Sequence, residues 1–450
     1  MQGGKIVEAL FWEYLPLIMF TFVFGLLLLG YPVAFTIGGV AMFFGLLGFG
    51  VDFFNLMPIR IWGTMTNFSL LAVPLFIYMG VMLEKSGLAE ELLETMSLVF
   101  ARVKGGLAIS VVFVGALMGA STGIVGATVV TMGLLSVPTM LRRKYDVALT
   151  TGTVAASGTL GQIIPPSIVL VLLGDIMSVP IGDLFIGAVI PGMILVVLYM
   201  IYILIISTIR PEWAPPIPQE ELDGISTKQL YIRVVKALIP PVILMVTVLG
   251  SIFVGIASPT EAASVGAVGA TILTVIHKRF SFQVLKDVME TTTNLTCMVF
   301  IILVGATTLG LVFRGLDGDV LIRNLILSLP FGKWGILFIV MSIIFIAGFF
   351  LDFIEITFIH VPVLAPIMIH LGVDPLWLGV LIAVNLQTSF LTPPFGFSLF
   401  YLKGVCPDSV KTMDIYRGIV PFVIIQILCI FIITLFPETV TWLPEVMSGN

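Results

Sequence analysis

Apolar residues along this chain come in long uninterrupted runs rather than in strand-like alternation, and many runs approach the roughly 20 residues that a membrane helix needs. Runs at 15–30 and 32–50 are joined tightly at Tyr31-Pro32, and 67–83 gives a third. Residues 87–104 carry Glu90, Glu91, Glu94, Arg102 and Lys104 on an otherwise apolar pattern, which predicts an amphipathic helix at the interface. The 105–141 segment is too long for one span and is apolar except for a Ser/Thr/Gly centre. It is flanked by Arg102 and Lys104 on one side and by Arg142, Arg143 and Lys144 on the other, so both ends are expected in the cytoplasm. Two short spans or one re-entrant hairpin satisfy that; the small residues favour the hairpin, whose buried tip needs close backbone approach. A broken helix follows at 147–174, then a span at 185–206 and a Pro-rich, charged linker at 210–236. Beyond it the pattern predicts spans at 237–255, 259–276 and 295–313, an interfacial helix at 317–329, a second hairpin at 334–370, a second broken helix at 376–401 and a last span at 416–436.

Four polar stretches sit deep inside these runs: GASTGIVGATVV at 119–130, GQIIPPS at 161–167, GFFLDFIEIT at 348–357 and QTSFLTPPFG at 387–396. All read as non-helical. Irregular backbone at membrane depth is tolerated only where protein buries it or it lines a cavity. The landmarks recur at a nearly constant offset: Pro32 falls on Pro259, Ser86-Gly87 on Arg314-Gly315, and Pro165-Pro166 on Pro393-Pro394. The chain is therefore expected to be an all-α polytopic membrane protein made of two repeats, 1–209 and 237–450, separated by a cytoplasmic linker at 210–236. Each repeat has five spans, a hairpin and a broken helix, and an odd number of crossings inverts the second repeat relative to the first. Corresponding breaks in two halves are the usual pointer to a transporter's central site.

Composition agrees. Of 450 residues 59% are hydrophobic and only 10% charged, with a mean hydropathy of +1.17, against about a quarter charged in ordinary globular chains. The net charge of −5 says less than the placement of cations. The inverted-repeat topology puts 16 of the 21 basic residues inside and leaves Lys5, Arg60, Arg314, Arg323 and Lys333 outside, with both termini outside the cytoplasm. No cleavable signal peptide is read at the N-terminus. Cys297, Cys406 and Cys429 lie far apart without metal-type spacing and are expected to be lone thiols. P-loop, HExxH, GxSxG and DDxxD signatures are absent, so enzyme activity is not expected and transport would run on an ion gradient or a partner.

A broken helix frees carbonyls at one half-helix end, which suit a desolvated Na⁺, and N–H groups at the other, which suit a carboxylate. Ser121, Thr122, Ser389 and Thr392 add hydroxyl oxygens. Proline lacks an N–H and disfavours helix in the residue before it, so the Ile164 and Thr392 carbonyls are expected to stay unpaired. Asp352 and Glu355 lie at the second hairpin's centre, where a functional acid and an acid capping the hairpin turn are both open readings. Glu261 is expected to cap a helix, Arg314 and Asp317 to snorkel, and His360 and His370 to pack.

YPVAFTIGG, VPLFIYMGVMLEKSG, the STGIVGAT tip, GTLGQIIPPSI, ASPTEAASVGA and LTPPFGFSLFYLKG resemble the large membrane subunit of tripartite ATP-independent periplasmic (TRAP) transporters, a DctM-like permease, over essentially the whole chain. The FLDFIEI tip resembles the mannitol/chloroaromatic subgroup. The resemblance implies the ion-transporter-superfamily elevator fold, with a scaffold domain and a mobile domain that carries both hairpins and both broken helices. It implies Na⁺-coupled uptake, with two or more ions, of an organic acid delivered by a periplasmic substrate-binding protein, in the inner membrane, beside a small four-helix membrane subunit. By motif position it implies a first Na⁺ site at Gly119, Thr122, Gly161, Ile164 and Pro166. The second would be at Gly348, Ser389, Thr392 and Phe395, and the substrate would face Ser121, Thr122, Asp352 and Glu355. Glu355 and the Phe395-Gly-Phe sequence depart from many members of the family. Alternatives are a stand-alone Na⁺-coupled carboxylate carrier of the same superfamily, an ion channel, and an intramembrane enzyme, for which the sequence offers no catalytic dyad.

Overall fold

A computed structural model describes residues 2–123, 125–216, 226–394 and 396–448; the side chains of residues 2–10, Ser121, Thr122 and Ser448 lie outside that description. The described chain is built from α-helices with a few 3₁₀ turns. The first half runs α1 (Gln2–Leu28), α2 (Val33–Phe49), α3 (Met57–Met65), α4 (Ala72–Lys85), α5 (Leu88–Val99), α6 (Gly106–Thr122), α7 (Val125–Arg142), α8 (Val147–Thr159), α9 (Ile168–Met177) and α10 (Ile181–Ile209). The second half runs α11 (Thr227–Phe253), α12 (Pro259–Ile276), α13 (Phe282–Gly315), α14 (Gly318–Leu327), α15 (Lys333–Ala347), α16 (Phe353–Ile359), α17 (Val361–His370), α18 (Pro375–Phe390), α19 (Phe397–Val405), α20 (Thr412–Leu435) and α21 (Glu438–Ser448). Among the described residues, 8 helices are long and apolar enough to cross a membrane, or up to 10 if bent pairs count as one span.

The element order repeats. The pair α1–α2 is matched by α11–α12, α5 by α14, the hairpin α6–α7 by α15–α17, the broken helix α8–α9 by α18–α19, and α10 by α20. Both hairpins close on themselves. The Gly105 amide donates to the Ala214 carbonyl (3.1 Å) and the Asp146 amide to the Trp213 carbonyl (2.9 Å), so the chain enters and leaves α6–α7 at one short turn. In the second hairpin, Lys333 Nζ before the outgoing arm donates to the Gly372 carbonyl after the returning one (2.8 Å). Each segment returns to the side it came from, as the re-entrant reading requires.

The contacts divide the chain into two compact units, neither of which is a sequence half. One contains Met1–Phe68 and Asn294–Pro375, and its core gathers Met19, Ile37, Phe44, Phe53, Val312 and Phe313. The other contains Ser69–Thr293 and Leu376–Asn450. The first hairpin and both broken helices belong to the second unit, whereas α15–α17 belongs to the first.

Several boundaries differ from the sequence reading. The 119–130 stretch is not an extended break: α6 continues through Thr122 and α7 starts at Val125, with Gly123 at φ +61° as the turn. Its small residues serve helix crossings rather than unwinding. The linker is shorter than 210–236, because a Ser226–Gln229 capping box starts α11 at Thr227 and draws Lys228, Arg233 and Lys236 into the helix; residues 217–225 lie outside the description. α1 begins at Gln2 rather than near residue 15, since the apolar run marks bilayer depth and not helix length. Two helices were not anticipated. One is the short α3, and the other is α21, which seats the fully buried Val440 against Gly187 of α10. The Ser258–Glu261 capping box is present as expected, with the Glu261 carboxylate accepting from the Ser258 amide at 2.7 Å.

The backbones of α8 and α20 approach closely, so that a Cβ on Gly152 would run into the Gly418 carbonyl. Rigid backbone cannot move aside, so Gly152→Ala should destabilise the protein by about 1–3 kcal/mol. Gly39→Ala, inside α2 with nothing within 4 Å, should not lower the thermal unfolding temperature in detergent and should raise it slightly, since alanine favours helix by about 0.5–1 kcal/mol over glycine.

Candidate functional site

The site is built from three helix interruptions in the larger unit. At the first, α8 ends in a 3₁₀ turn over Leu160–Gln162. The amides of Ile163 and Ile164 both donate to the Leu160 carbonyl (3.1 and 3.0 Å), a cis peptide joins Pro165 and Pro166, and the Ser167 hydroxyl donates to the Gln162 carbonyl (2.6 Å) before α9 begins. At the second, Thr392 N donates to the Ser389 carbonyl (3.1 Å), Pro393 and Pro394 are joined by a cis peptide, and the Ser398 hydroxyl reaches back to the Phe390 carbonyl (2.8 Å). Tyr416 Oη donates to the Pro394 carbonyl (3.0 Å) and anchors this break to α20. Among the described residues no donor reaches the carbonyl of Ile164 or of Thr392, as expected where the residue before a proline leaves helical geometry.

The first hairpin packs on the first break and on α19 beyond the second. A Cβ on Gly119 would lie 2.6 Å from the Gly161 amide nitrogen, and one on Gly161 would lie 2.6 Å from the Gly119 carbonyl oxygen. These two backbones touch, and only glycine at both positions allows it. At the tip, Gly123 in the left-handed region faces Ile168, the first residue of α9, where an added Cβ would be 3.1 Å from Cγ1. Along the returning arm, Gly126 faces the Tyr401 ring and Gly133 faces Val405, both on α19. The two breaks themselves meet at positions 228 apart: Gln387 Nε2 donates to Thr159 Oγ1 at 3.3 Å. This is the sequence offset of the proline pairs, expressed as a contact.

The residues carried over from the family resemblance are distributed as follows. Gly119 and Gly161 are in contact, with Ile164 and Pro166 in the same break. Thr122 and Ser121 form the last turn of α6, with side chains outside the description. Ser389 and Thr392 line the second break; their hydroxyls donate to the carbonyls of Leu386 and Thr388 (both 2.7 Å), which leaves oxygen lone pairs for a cation. Phe395 lies outside the described residues. Gly348, Asp352 and Glu355 fall in the other unit. There the Asp352 carboxylate accepts from the Phe353 amide (2.7 Å) and Glu355 Oε2 from the Asp352 amide (3.1 Å), a reciprocal capping box at the start of α16. The capping reading of these two acids is therefore realised. His360 packs 5.5 Å from the Phe24 ring.

Three polar residues in these breaks had no assigned role in the sequence: Thr159, Gln162 and Gln387. All three are completely buried. The 228-residue offset between Thr159 and Gln387 was the available signal. Among the described residues no three His, Cys, Asp or Glu side chains gather at one point, so a cation at these breaks would be held by carbonyl and hydroxyl oxygens, ligands that hard cations prefer.

Fold and site together define a multi-pass membrane transporter with two repeats, each contributing one hairpin and one broken helix. Residues 20–439 match the family model described as "Tripartite ATP-independent periplasmic transporter, DctM component", and the chain belongs to that family. It is 30% identical over 401 residues to the C4-dicarboxylate TRAP transporter large permease protein DctM of Pseudomonas aeruginosa, covering 89% of this chain and 92% of that one. It is 27% identical to the sialic acid TRAP transporter large permease protein SiaM of Vibrio cholerae, covering 94% and 97% respectively. In architecture it is similar to the YdaH transporter of Alcanivorax borkumensis, with a TM-score of 0.62 at 14% identity over 96% of this chain and 98% of that one.

The capping geometry separates two roles for Glu355. Glutamine also serves in a capping box, so Glu355→Gln should leave thermal stability within about 0.5 kcal/mol. Asp352→Ala should lower it by about 1 kcal/mol. Loss of transport in a stable Glu355→Gln protein would assign the charge itself a function.

Proposed function

We propose that this chain is the large permease of a Na⁺-coupled tripartite importer of an organic acid. A periplasmic substrate-binding protein delivers the acid, and a small four-helix membrane subunit stabilises the permease. The observation that carries the reading is the pair of breaks at 163–167 and 391–396. They occupy equivalent positions in the two repeats, each leaves the carbonyl before its proline pair without a donor among the described residues, and the Thr159–Gln387 bond links the two broken helices.

The electrostatics follow from helix polarity. The C-terminal ends of α8 and α18 present carbonyl oxygens and partial negative charge to Na⁺, and the N-terminal ends of α9 and α19 present N–H groups and partial positive charge to a carboxylate. In this reading, which follows the family resemblance, a first Na⁺ is held by Gly119, Thr122, Gly161, Ile164 and Pro166 and a second by Ser389 and Thr392, and Ser121 and Thr122 face the substrate. Binding of Na⁺ and acid together neutralises the site, so that an elevator movement of the body carrying the breaks becomes permissible through the low-dielectric membrane. Relatives named for a C4-dicarboxylate and for sialic acid support a carboxylate-bearing substrate. The distribution of basic residues supports a bacterial or archaeal inner-membrane location with both termini periplasmic.

Reconstitution in proteoliposomes with the small subunit, a loaded binding protein and an inward Na⁺ gradient should give uptake that requires all three. Thr392→Ala and Pro166→Ala should each reduce it by at least tenfold at limiting Na⁺, about 1.4 kcal/mol of ion binding. Gradient-driven uptake by this chain alone would overturn the tripartite assignment.

A further inference from the structure

The two breaks share one buried polar cluster that the proposed ion and substrate ligands do not use. Thr159 is the last residue of α8, and the 3₁₀ turn Leu160–Gln162 follows it directly. In a 3₁₀ turn residues three apart eclipse, so the Gln162 side chain lies over the same face as Thr159, the face that Gln387 approaches from the other repeat. Thr159 Oγ1 gives its own hydrogen to the Ala156 carbonyl (2.8 Å) and accepts from Gln387 Nε2. The cluster is incomplete. Gln387 Oε1 and both amide atoms of Gln162 are buried and have no hydrogen-bond partner among the described residues, and both residues have no exposed surface.

Buried polar atoms without partners are rare, and their burial disfavours the arrangement that contains them. A closer approach of the two breaks that brought Gln162 Nε2 to Gln387 Oε1 would supply a partner to each. The arrangement seen here is then the open one, and a closed one would pair the two glutamines. Gln162 follows Gly161 of the first candidate cation site, and Gln387 lies two residues before Ser389 of the second. A cation that draws the carbonyls of one break inward shifts one half of the cluster toward closure and lowers the cost of the same movement in the other break. Coupling of this kind needs a two-state element that both sites bias, and it is reciprocal.

We propose that Thr159, Gln162 and Gln387 form a polar bridge between the repeats that couples the two candidate cation sites, so that occupation of either raises the affinity of the other. The three are positioning residues and not cation ligands. The inference rests on the reading that both breaks bind Na⁺.

The test follows thermal stability of the full-length protein with its small subunit against Na⁺ concentration, at constant ionic strength with choline, together with ²²Na⁺ binding stoichiometry. The wild type should show a Hill coefficient well above one. Gln387→Leu and Thr159→Val should bring it to about one with the number of bound ions unchanged, and Thr159→Ser, which keeps the hydroxyl, should restore it. Stability without Na⁺ identifies a variant that merely misfolds, and the Thr159 pair then decides alone. A wild-type coefficient of one, or unaltered cooperativity in folded Thr159→Val, overturns the bridge but leaves the ion sites standing. Absence of any ²²Na⁺ binding by the wild type overturns the Na⁺ reading itself, and the bridge with it.

Discussion

Everything in this structure depends on how the protein handles backbone that is not helical at membrane depth. An unpaired peptide group in hydrocarbon costs several kcal/mol, so a break must be buried by other protein. That requirement accounts for the hairpin α6–α7, which lies against both broken helices and touches them through glycines. It also accounts for the hydroxyl backstops of Ser167 and Ser398, each returning a hydrogen bond to a carbonyl that its own helix has lost. What remains after this satisfaction includes the carbonyls of Ile164 and Thr392, immediately before each proline pair, to which no described donor reaches. Residual polarity in an otherwise dry setting is the physical meaning of a binding site here.

Glycine placement then decides how close the elements come. Gly119 against Gly161 and Gly152 against Gly418 are backbone-to-backbone crossings, the small-residue packing that membrane helices rely on when the hydrophobic effect offers no preference between lipid and protein. The same small residues that let helices touch also make a stretch look irregular in sequence. For this reason GASTGIVGATVV reads as a long break although the chain turns only around Gly123.

Long-period features were legible and local ones less so. The apolar runs, the repeated Pro-Pro, the amphipathic α5 and α14, and the return of both hairpins to their starting side follow from hydropathy, charge flanks and a near-constant offset. The sequence did not reveal where amphipathic turns extend a helix beyond the bilayer, as at Gln2 and Thr227, or that α21 folds back onto α10 through Val440. Those outcomes depend on tertiary contacts that leave no periodic trace. The site was legible as motifs but not as partnerships. Asp352 and Glu355 stood out as intramembrane acids, yet their three-residue spacing at a helix start already allowed the capping box that forms. Gln162 and Gln387 sat inside the quoted motifs, and their importance comes from burial and from a contact across the repeat.

The central claim is that each break holds a cation between its free carbonyl and neighbouring oxygens. The most direct measurement is a pair of high-resolution experimental structures of the complex, one in sodium chloride and one in choline chloride. The account predicts a compact density at both breaks in sodium alone, with the carbonyl oxygens of Ile164 and Thr392 turned toward it. Breaks that remain empty at saturating sodium, with those carbonyls bonded to protein or water in both salts, would contradict it.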